Sequence, residues 1–590
     1  MSATDTTAVP EVGPQSVSLP AGLREQVEEA RARWQAEDRM ARLWARDAGL
    51  WTGADEGRWL DWLSAVDDAL AHMGELQRVC HWVEGRNIAR AVLLGMGGSS
   101  LAPEVLRLTF GPQPQHPDWI ILDSTDPAQI RAVASRLDYA RTVFLVASKS
   151  GTTLEPNILM DYFFQQASRV LGGKRAAEHF GAVTDPGSHL ERLAVERGFR
   201  AVFHGRPGIG GRYSALSPFG LVPAAAMGLD VERLLRRARA MVAACGPEAP
   251  AQANPGLELG LVLGEAARAG HDKLTVFCSP GLRSLGAWLE QLIAESTGKA
   301  GRAIIPVDGE RPADPERYGE DRLFVHVRLA GDADADQAQA VRALEEAGRP
   351  VVRIEVADRY DIGQEFFRWE MATAVAGSIM GINPFDQPDV EAAKVEARKL
   401  TEAYEATGTL PAAEPLATGD GLALFTDRRN AEALDRAAGQ GTGVAGLVAA
   451  HLARLSPGDY FALLAYLNRL DPVCEEHLQA IRHAVRDACG VATCLGWGPR
   501  FLHSTGQAYK GGPGTGVFLQ VTADAVDDIP VPGRRYTFGV VEAAQAQGDF
   551  QVLLQRGRRA LRVHLGADIH AGLGRLRGII EEQLASYVRR

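Results

Sequence analysis

A chain of 590 residues is too long for one hydrophobic core, so roughly three or four domain-sized units are expected. With 46% hydrophobic and 23% charged residues it reads as globular, and its 63 glycines suit many strand-to-helix turns better than a coiled coil. A formal charge of −11 and a pI near 5.8 argue against a general nucleic-acid binder, while leaving room for a local basic pocket.

The opening stretch MSATDTTAVPEVGPQSVS lacks the basic start and apolar core of a secretory signal, and reads as a floppy terminus. Residues 20–85 follow with helical spacing (Leu23, Val27, Ala30, Trp34, then Trp59, Leu60, Leu63, Val66, Leu70), predicting a helical lead-in packed on the first sheet. The runs at 89–95, 118–123, 142–148, 179–185 and 199–205 are short, apolar and closed by Gly, Ser or Asp. Helical stretches separate them, so a parallel sheet covered on both faces is predicted.

A second set of strands at 273–279, 303–307, 323–329 and 350–356 alternates with helices at 282–297, 335–347 and 363–380. The two sets predict two doubly wound α/β domains. From Leu400 to about Gly441, Ala, Gly, Thr and Asp dominate, which predicts a linker. The last region predicts helices at 458–470 and 473–488, strands at 491–497, 516–521 and 560–566, and a terminal helix to Tyr587. The expected division is 1–85 (disordered start and lead-in), 86–245, 246–400, 401–441 (linker) and 442–590 (a C-terminal α/β region).

The small-apolar run Met371–Ile382 falls well short of the ~20 residues of a membrane span, so no membrane partner is expected. Six cysteines without a C-x-x-C pair suggest reduced thiols in the cytoplasm. Cys489 and Cys494 suit packing better than a shared metal.

Six segments could carry chemistry. GMGGSS (Gly95–Ser100) lies between a strand and a helix, where glycines admit a ligand or merely make a tight turn. A dinucleotide fingerprint would need glycine where Ser100 stands. SKSGTT (Ser148–Thr153) packs hydroxyls and accessible N–H groups at a helix N-terminus, a phosphate cradle that needs no metal; its bland reading is an elaborate helix cap.

GIGGRYSALS carries Arg212, either an oxyanion partner or a solvated surface charge. In LEQLIAESTGK, Gln291 and Glu295 share a helix face away from Leu285, Leu289 and Leu292; Glu295 is either a general base or a solvated charge. NPFDQPDVEAAK holds Lys394 on a helix after a turn, and FLHSTGQ places His503 on a loop after a strand.

Read as GMGGS, SKSGTT, GGRYS, QLIAESTGK, DQPDVEAAK and LHSTGQ, these segments together resemble the phosphoglucose isomerase family over about residues 85–510. The resemblance implies reversible isomerisation of glucose 6-phosphate and fructose 6-phosphate, with no metal and no cofactor. It implies that Gly98, Ser99 and Gln291 contact the sugar, that Ser148, Lys149, Ser150, Thr152 and Thr153 hold the phosphate, and that Arg212, Glu295, Lys394 and His503 surround the reacting carbons. Glu295 would move the proton between C2 and C1 through a cis-enediolate.

A cytoplasmic homodimer is implied, in which the family pattern has a histidine crossing from the partner subunit. One departure stands out: the His503 loop follows the Lys394 segment, as in the isomerase half of transaldolase–isomerase fusions, although no room remains for a transaldolase barrel. Rival readings are an isomerase also accepting mannose 6-phosphate, a non-catalytic sugar-phosphate-binding regulator, and a nucleotide-dependent dehydrogenase.

Overall fold

The first strand of the computed structural model, which describes residues 11–83, 87–332, 334–438 and 443–587, falls where disorder is expected. β1 (Gln15–Ser18) pairs antiparallel with the edge strand Val351–Val356. The start of the chain is therefore part of a sheet from Gln15 onward; residues 1–10 lie outside the described residues. The lead-in helix Ala21–Ala36 buries the expected stripe of Leu23, Val27, Ala30 and Trp34. It packs on the helix Pro255–Arg268, with Arg33–Glu265 at 3.3 Å and Arg31–Glu258 at 3.4 Å, away from the first sheet, whereas the later lead-in helix Met73–Val83 does reach that sheet, with Trp82 against Gly181.

β2 (Arg90–Leu94), β3 (Asp118–Leu122), β4 (Thr142–Ala147), β5 (Phe180–Thr184) and β6 (Ala201–His204) form a parallel sheet in the order β3-β2-β4-β5-β6. All six residues of β4 are buried, as helices on both faces require of a central strand. The chain leaves β2 for one side of the sheet and returns to the other at β4. That reversal opens a crevice at the carboxyl ends of these two strands, the usual ligand position in such sheets.

The second sheet holds β7 (Lys273–Cys278), β8 (Ile305–Val307), β9 (Arg322–Leu329) and β10 (Val351–Val356) in the order β1-β10-β9-β7-β8, parallel except for β1. One continuous apolar core joins the lead-in and the first two sheets.

The third sheet runs β11-β12-β16-β15-β13-β14. Its strands are β11 (Ala417–Gly419), β12 (Leu422–Phe425), β13 (Tyr460–Ala465), β14 (Ala492–Trp497), β15 (Gly516–Thr522) and β16 (Arg559–His564). Two expectations fail here. The helix expected at 458–470 is instead the central strand β13, because a short apolar run buried on both faces carries no telling periodicity. The stretch 401–441 is not an irregular linker. The helix Pro388–Thr407 runs into it, β11 and β12 extend the third sheet, and the helix Arg428–Ala438 follows.

The third sheet has its own apolar core. It is nonetheless bolted to the first. Arg469 and Arg500, beyond the carboxyl ends of β13 and β14, pair with Glu104 and Asp123 beyond the ends of β2 and β3. Ile529, Phe538 and Val541 also pack against Ile158, Leu159 and Phe163 of the first unit. The carboxyl edges of two sheets thus face each other across one crevice.

Candidate active site

Two glycine loops meet at the floor of this crevice with no side chain between them. A Cβ on Gly98 would fall 2.0 Å from the Gly211 carbonyl oxygen, and Ser214 Oγ donates to Gly98 O at 3.2 Å. Gly97 adopts φ +54°, and a Cβ there would stand 2.8 Å from Gln291 Nε2 and 3.0 Å from His503 Cβ. GMGGSS is therefore a close-approach loop rather than a plain turn. Ser99 is buried in its short helical turn, and Ser100 Oγ donates to Asp123 at 3.1 Å.

Ser148–Thr153 links β4 to the helix Leu154–Leu171. Thr153 occupies the N-cap position but makes no side-chain capping bond, so the loop is not merely an elaborate cap. Ser148 Oγ accepts from Gly151 N at 3.2 Å and donates to Thr153 Oγ1 at 3.4 Å, while the Ser150 and Thr152 hydroxyls pair at 2.8 Å. The result is a ring of hydroxyls around a helix N-terminus, fit for an anion. Lys149 is arranged otherwise: its ammonium donates to Asp185 at 2.5 Å, Pro207 O at 3.1 Å and Arg206 O at 3.2 Å, bracing the loop from behind.

Gln291 and Glu295 lie on the helix Leu285–Thr297, which is buried on nearly every side between neighbouring units instead of showing a solvated face. Arg212, 2% exposed, reaches this helix with Nε donating to Ser296 Oγ at 2.7 Å. Its other nitrogens donate to Pro384 O at 2.7 Å, Asp386 O at 2.9 Å and Gln387 Oε1 at 3.0 Å, and Nη1 stands 3.5 Å from Glu295 Oε1. Gln291 Nε2 donates to Glu295 Oε2 at 3.1 Å and to His503 O at 2.7 Å.

Nearby, Lys299 Nζ donates to Asn383 O at 2.6 Å and Ser296 O at 3.0 Å and pairs with Asp386 at 3.1 Å. Burial, and then the Arg212 charge, pull its ammonium down to about 7 against the opposing pull of Asp386.

His503 arrives on the turn after β14 and brings an acid partner. Its Nε2 lies 3.0 Å from Glu155 Oε1; an ionised carboxylate only accepts, so Nε2 carries the proton. Burial works to raise the Glu155 carboxyl, yet the His503 charge and hydrogen bond, with Lys394 beyond, hold it below the usual carboxylate range. Gln545, on the helix Phe538–Gln555, donates to the same Glu155 oxygen at 2.6 Å and accepts from Thr125 Oγ1 at 2.8 Å. Lys394 is set apart from these contacts: it is partly exposed and pairs with Glu391 at 2.9 Å, reaching the cluster only through its charge.

The structure thus gathers Gly98, Arg212, Gln291, Glu295 and His503 at one crevice, with the Ser148–Thr153 loop at the head of the helix that carries Glu155. Sequence reading missed Glu155, Gln387, Lys299 and Gln545. Glu155 sits in the first turn of its helix, where an acid reads as an ordinary dipole partner. Gln545 gives no local signal at all.

Among the described residues one group has metal-ligand composition, Asp471, Cys474 and His570. Its Asp471 and His570 already satisfy each other at 2.7 Å, and Asp471 caps its helix. Cys494 is buried in β14 with Sγ 3.5 Å from Pro306 O, a packing position.

Paired doubly wound sheets with a hydroxyl-lined loop at the switch point define an α/β protein of the sugar-isomerase type. A solved hypothetical protein of Thermus thermophilus shares this fold with TM-score 0.56 and 26% identity, over 65% of this chain and 99% of that one. So does a glucose-6-phosphate isomerase of Chlamydia trachomatis, with TM-score 0.53 and 22% identity, over 64% of this chain and 86% of that one.

The family model for phosphoglucose isomerase matches residues 58–308, a span holding the glycine loops, the Ser148–Thr153 loop, Arg212, Gln291 and Glu295. The glucose-6-phosphate isomerase of Rubrobacter xylanophilus is 29% identical over 373 residues, 55% of this chain and 85% of that protein. That of Parabacteroides distasonis is 26% identical over 401 residues, 59% of this chain and 87% of its own length. Over these spans the chain is similar to phosphoglucose isomerases.

Proposed function

We propose that the chain interconverts glucose 6-phosphate and fructose 6-phosphate at this crevice. The observation that carries the reading is the Glu295 carboxylate, bracketed by Arg212 at 3.5 Å and Gln291 at 3.1 Å and tied through Gln291 to the His503 loop. The Ser148, Ser150, Thr152 and Thr153 hydroxyls, with the free N–H groups of the helix start, grip the phosphate. This remote binding energy fixes the sugar chain against Glu295.

His503, its Nε2 proton held by Glu155, exchanges the ring-oxygen proton as the ring opens, with the Lys394 charge assisting. Glu295 removes the C2 proton, the electron pair becomes the C1–C2 double bond, and Arg212 compensates the enediolate charge. Returning the proton to C1 gives the ketose. A regulator would need the phosphate grip but not the base and the histidine, so their convergence supports catalysis. We place the protein in the cytoplasm as a homodimer, following the family pattern; no described helix is long and apolar enough to cross a membrane.

The test is fructose 6-phosphate turnover coupled to a glucose-6-phosphate dehydrogenase, in chelator, for wild type and Glu295→Gln. The variant should lose at least about a hundredfold in kcat, as removal of a general base does, while KM stays close to wild type. Near-normal kcat in the variant would remove Glu295 from its role.

A further inference from the structure

One face of the third sheet, apolar at Tyr460, Leu464, Phe518 and Ala560, turns polar towards the ends of β12, β15 and β16. Across it, Gln520, Arg562 and Phe425 lie side by side on β15, β16 and β12, and the next row is Thr522, His564 and Ala423. The opposite face presents Leu519, Val521, Leu561 and Val563 to an ordinary core. The helix Phe538–Gln555 crosses the polar face, anchored where Gln520 Nε2 donates to Ala546 O at 3.0 Å. A sheet face under a helix is normally apolar, because buried polar groups need partners.

Here two of them have none. A cavity of about 400 Å³ lies between this polar part of the sheet, one stretch of the helix and residues 410–413, a size suited to a small metabolite. On one wall the Arg562 guanidinium stacks over Phe425 at 4.4 Å and Phe550 at 5.5 Å. Among the described residues it meets no carboxylate, and its enclosed Nε has no acceptor. On the other wall stands Glu542, 8% exposed, with Oε1 enclosed and unpartnered.

The other charged groups are accounted for. His564 pairs with Asp524 at 3.2 Å and meets Thr522 at 3.1 Å, while Asp126 and Asp528 lie towards Glu542. Burial, and then these two acids, push the Glu542 carboxyl well above the usual carboxylate range. The cavity therefore offers a forked cation at one end and hydrogen-bonding carboxyls at the other.

We propose that this cavity is a second ligand site, taking a small hydroxylated anion with its phosphate or carboxylate head on Arg562 and its hydroxyls towards Glu542 and Asp524. The site also touches the helix that carries Gln545, one turn beyond Glu542, and Tyr466, which lines the cavity, donates to Gln545 O at 3.4 Å. Occupancy would thus bear on the Glu155–His503 pair. That consequence rests on the proposed catalytic reading; binding itself does not.

Calorimetric titration of the full chain with glycerol 3-phosphate, and separately with glycerate, tests the site and distinguishes the two head groups. At least one probe should give an Arg562-dependent event, weakened about tenfold or more by Arg562→Gln with isomerase turnover retained. Glycerol 3-phosphate should also give an event that Ser148→Ala weakens and Arg562→Gln does not. If Arg562→Gln misfolds, Arg562→Lys keeps the charge without the fork and should show an intermediate loss. No Arg562-dependent binding of either probe overturns the proposal, whatever the enzyme assay gives. Loss of the Ser148-dependent event alone would count against the phosphate loop and leave this site standing.

Discussion

Glu155 and Gln545 show how much of this crevice depends on single hydrogen bonds. On the proposed mechanism Glu155 fixes which His503 nitrogen holds the proton, so Glu155→Gln should cost about a hundredfold in kcat with KM little changed. Wild-type KM together with wild-type kcat would remove the pair from ring opening. Gln545 acts one bond further back, as a positioning residue. Its amide favours the charged carboxylate, so Gln545→Ala should raise the Glu155 pKa and move the acid limb of the kcat profile to higher pH. A lower melting temperature with an unmoved limb would mark Gln545 as structural only.

This scale was also the least legible in sequence. Motif spacing could find Gln291 and Glu295, four apart on one helix, but not a glutamine supplied by the chain 390 residues away. Arg212 and Glu295 each allowed a surface reading, because a charge in a sequence looks the same solvated or buried. Only packing against the turn at 383–387 decides for burial.

Among the elements, the pairing of the turn after β14 with the helix Leu101–Phe110 has a pH signature. Burial works to raise Glu104, but the Arg469 and Arg500 charges hold it down to about 2, from 4.5 when free. A depressed folded value means that its contribution is full above pH 4.5 and is lost as pH falls from there towards 2. Wild-type melting temperature should therefore drop across this window. Glu104→Gln should flatten that drop while costing about 3–5 kcal/mol at neutral pH, the usual cost of breaking a buried pair. Identical pH slopes in the two proteins would show that the cluster does not hold the elements together.

Strands alternating with helices were readable as short apolar runs between helical stretches, which covers the first two sheets except β1. Where such a run had no period, as in β13, or where the composition was small and polar, as around β11 and β12, the sequence misled. Pairing with distant strands, not local preference, makes these segments strands.

For the molecule as a whole, the third unit delivers His503 to a crevice built by the first two within the same chain. The family pattern sends a histidine across a subunit boundary, and the displaced His503 loop hinted at a different arrangement without fixing it. The geometry predicts that turnover per chain stays constant on dilution through any dimer–monomer transition, measured by light scattering alongside the coupled assay. Turnover that falls in step with dissociation would mean that a partner's residues complete the site.

Gln291 gives this arrangement a temporal meaning. Its single amide spends one hydrogen on Glu295 and the other on the His503 carbonyl, so both are aligned only once the last third of the chain has docked. During synthesis that portion emerges after the first two sheets. On the proposed mechanism, a nascent chain that has already folded its Ser148–Thr153 loop would stay chemically mute until the third sheet has emerged and docked, holding substrate without turning it over.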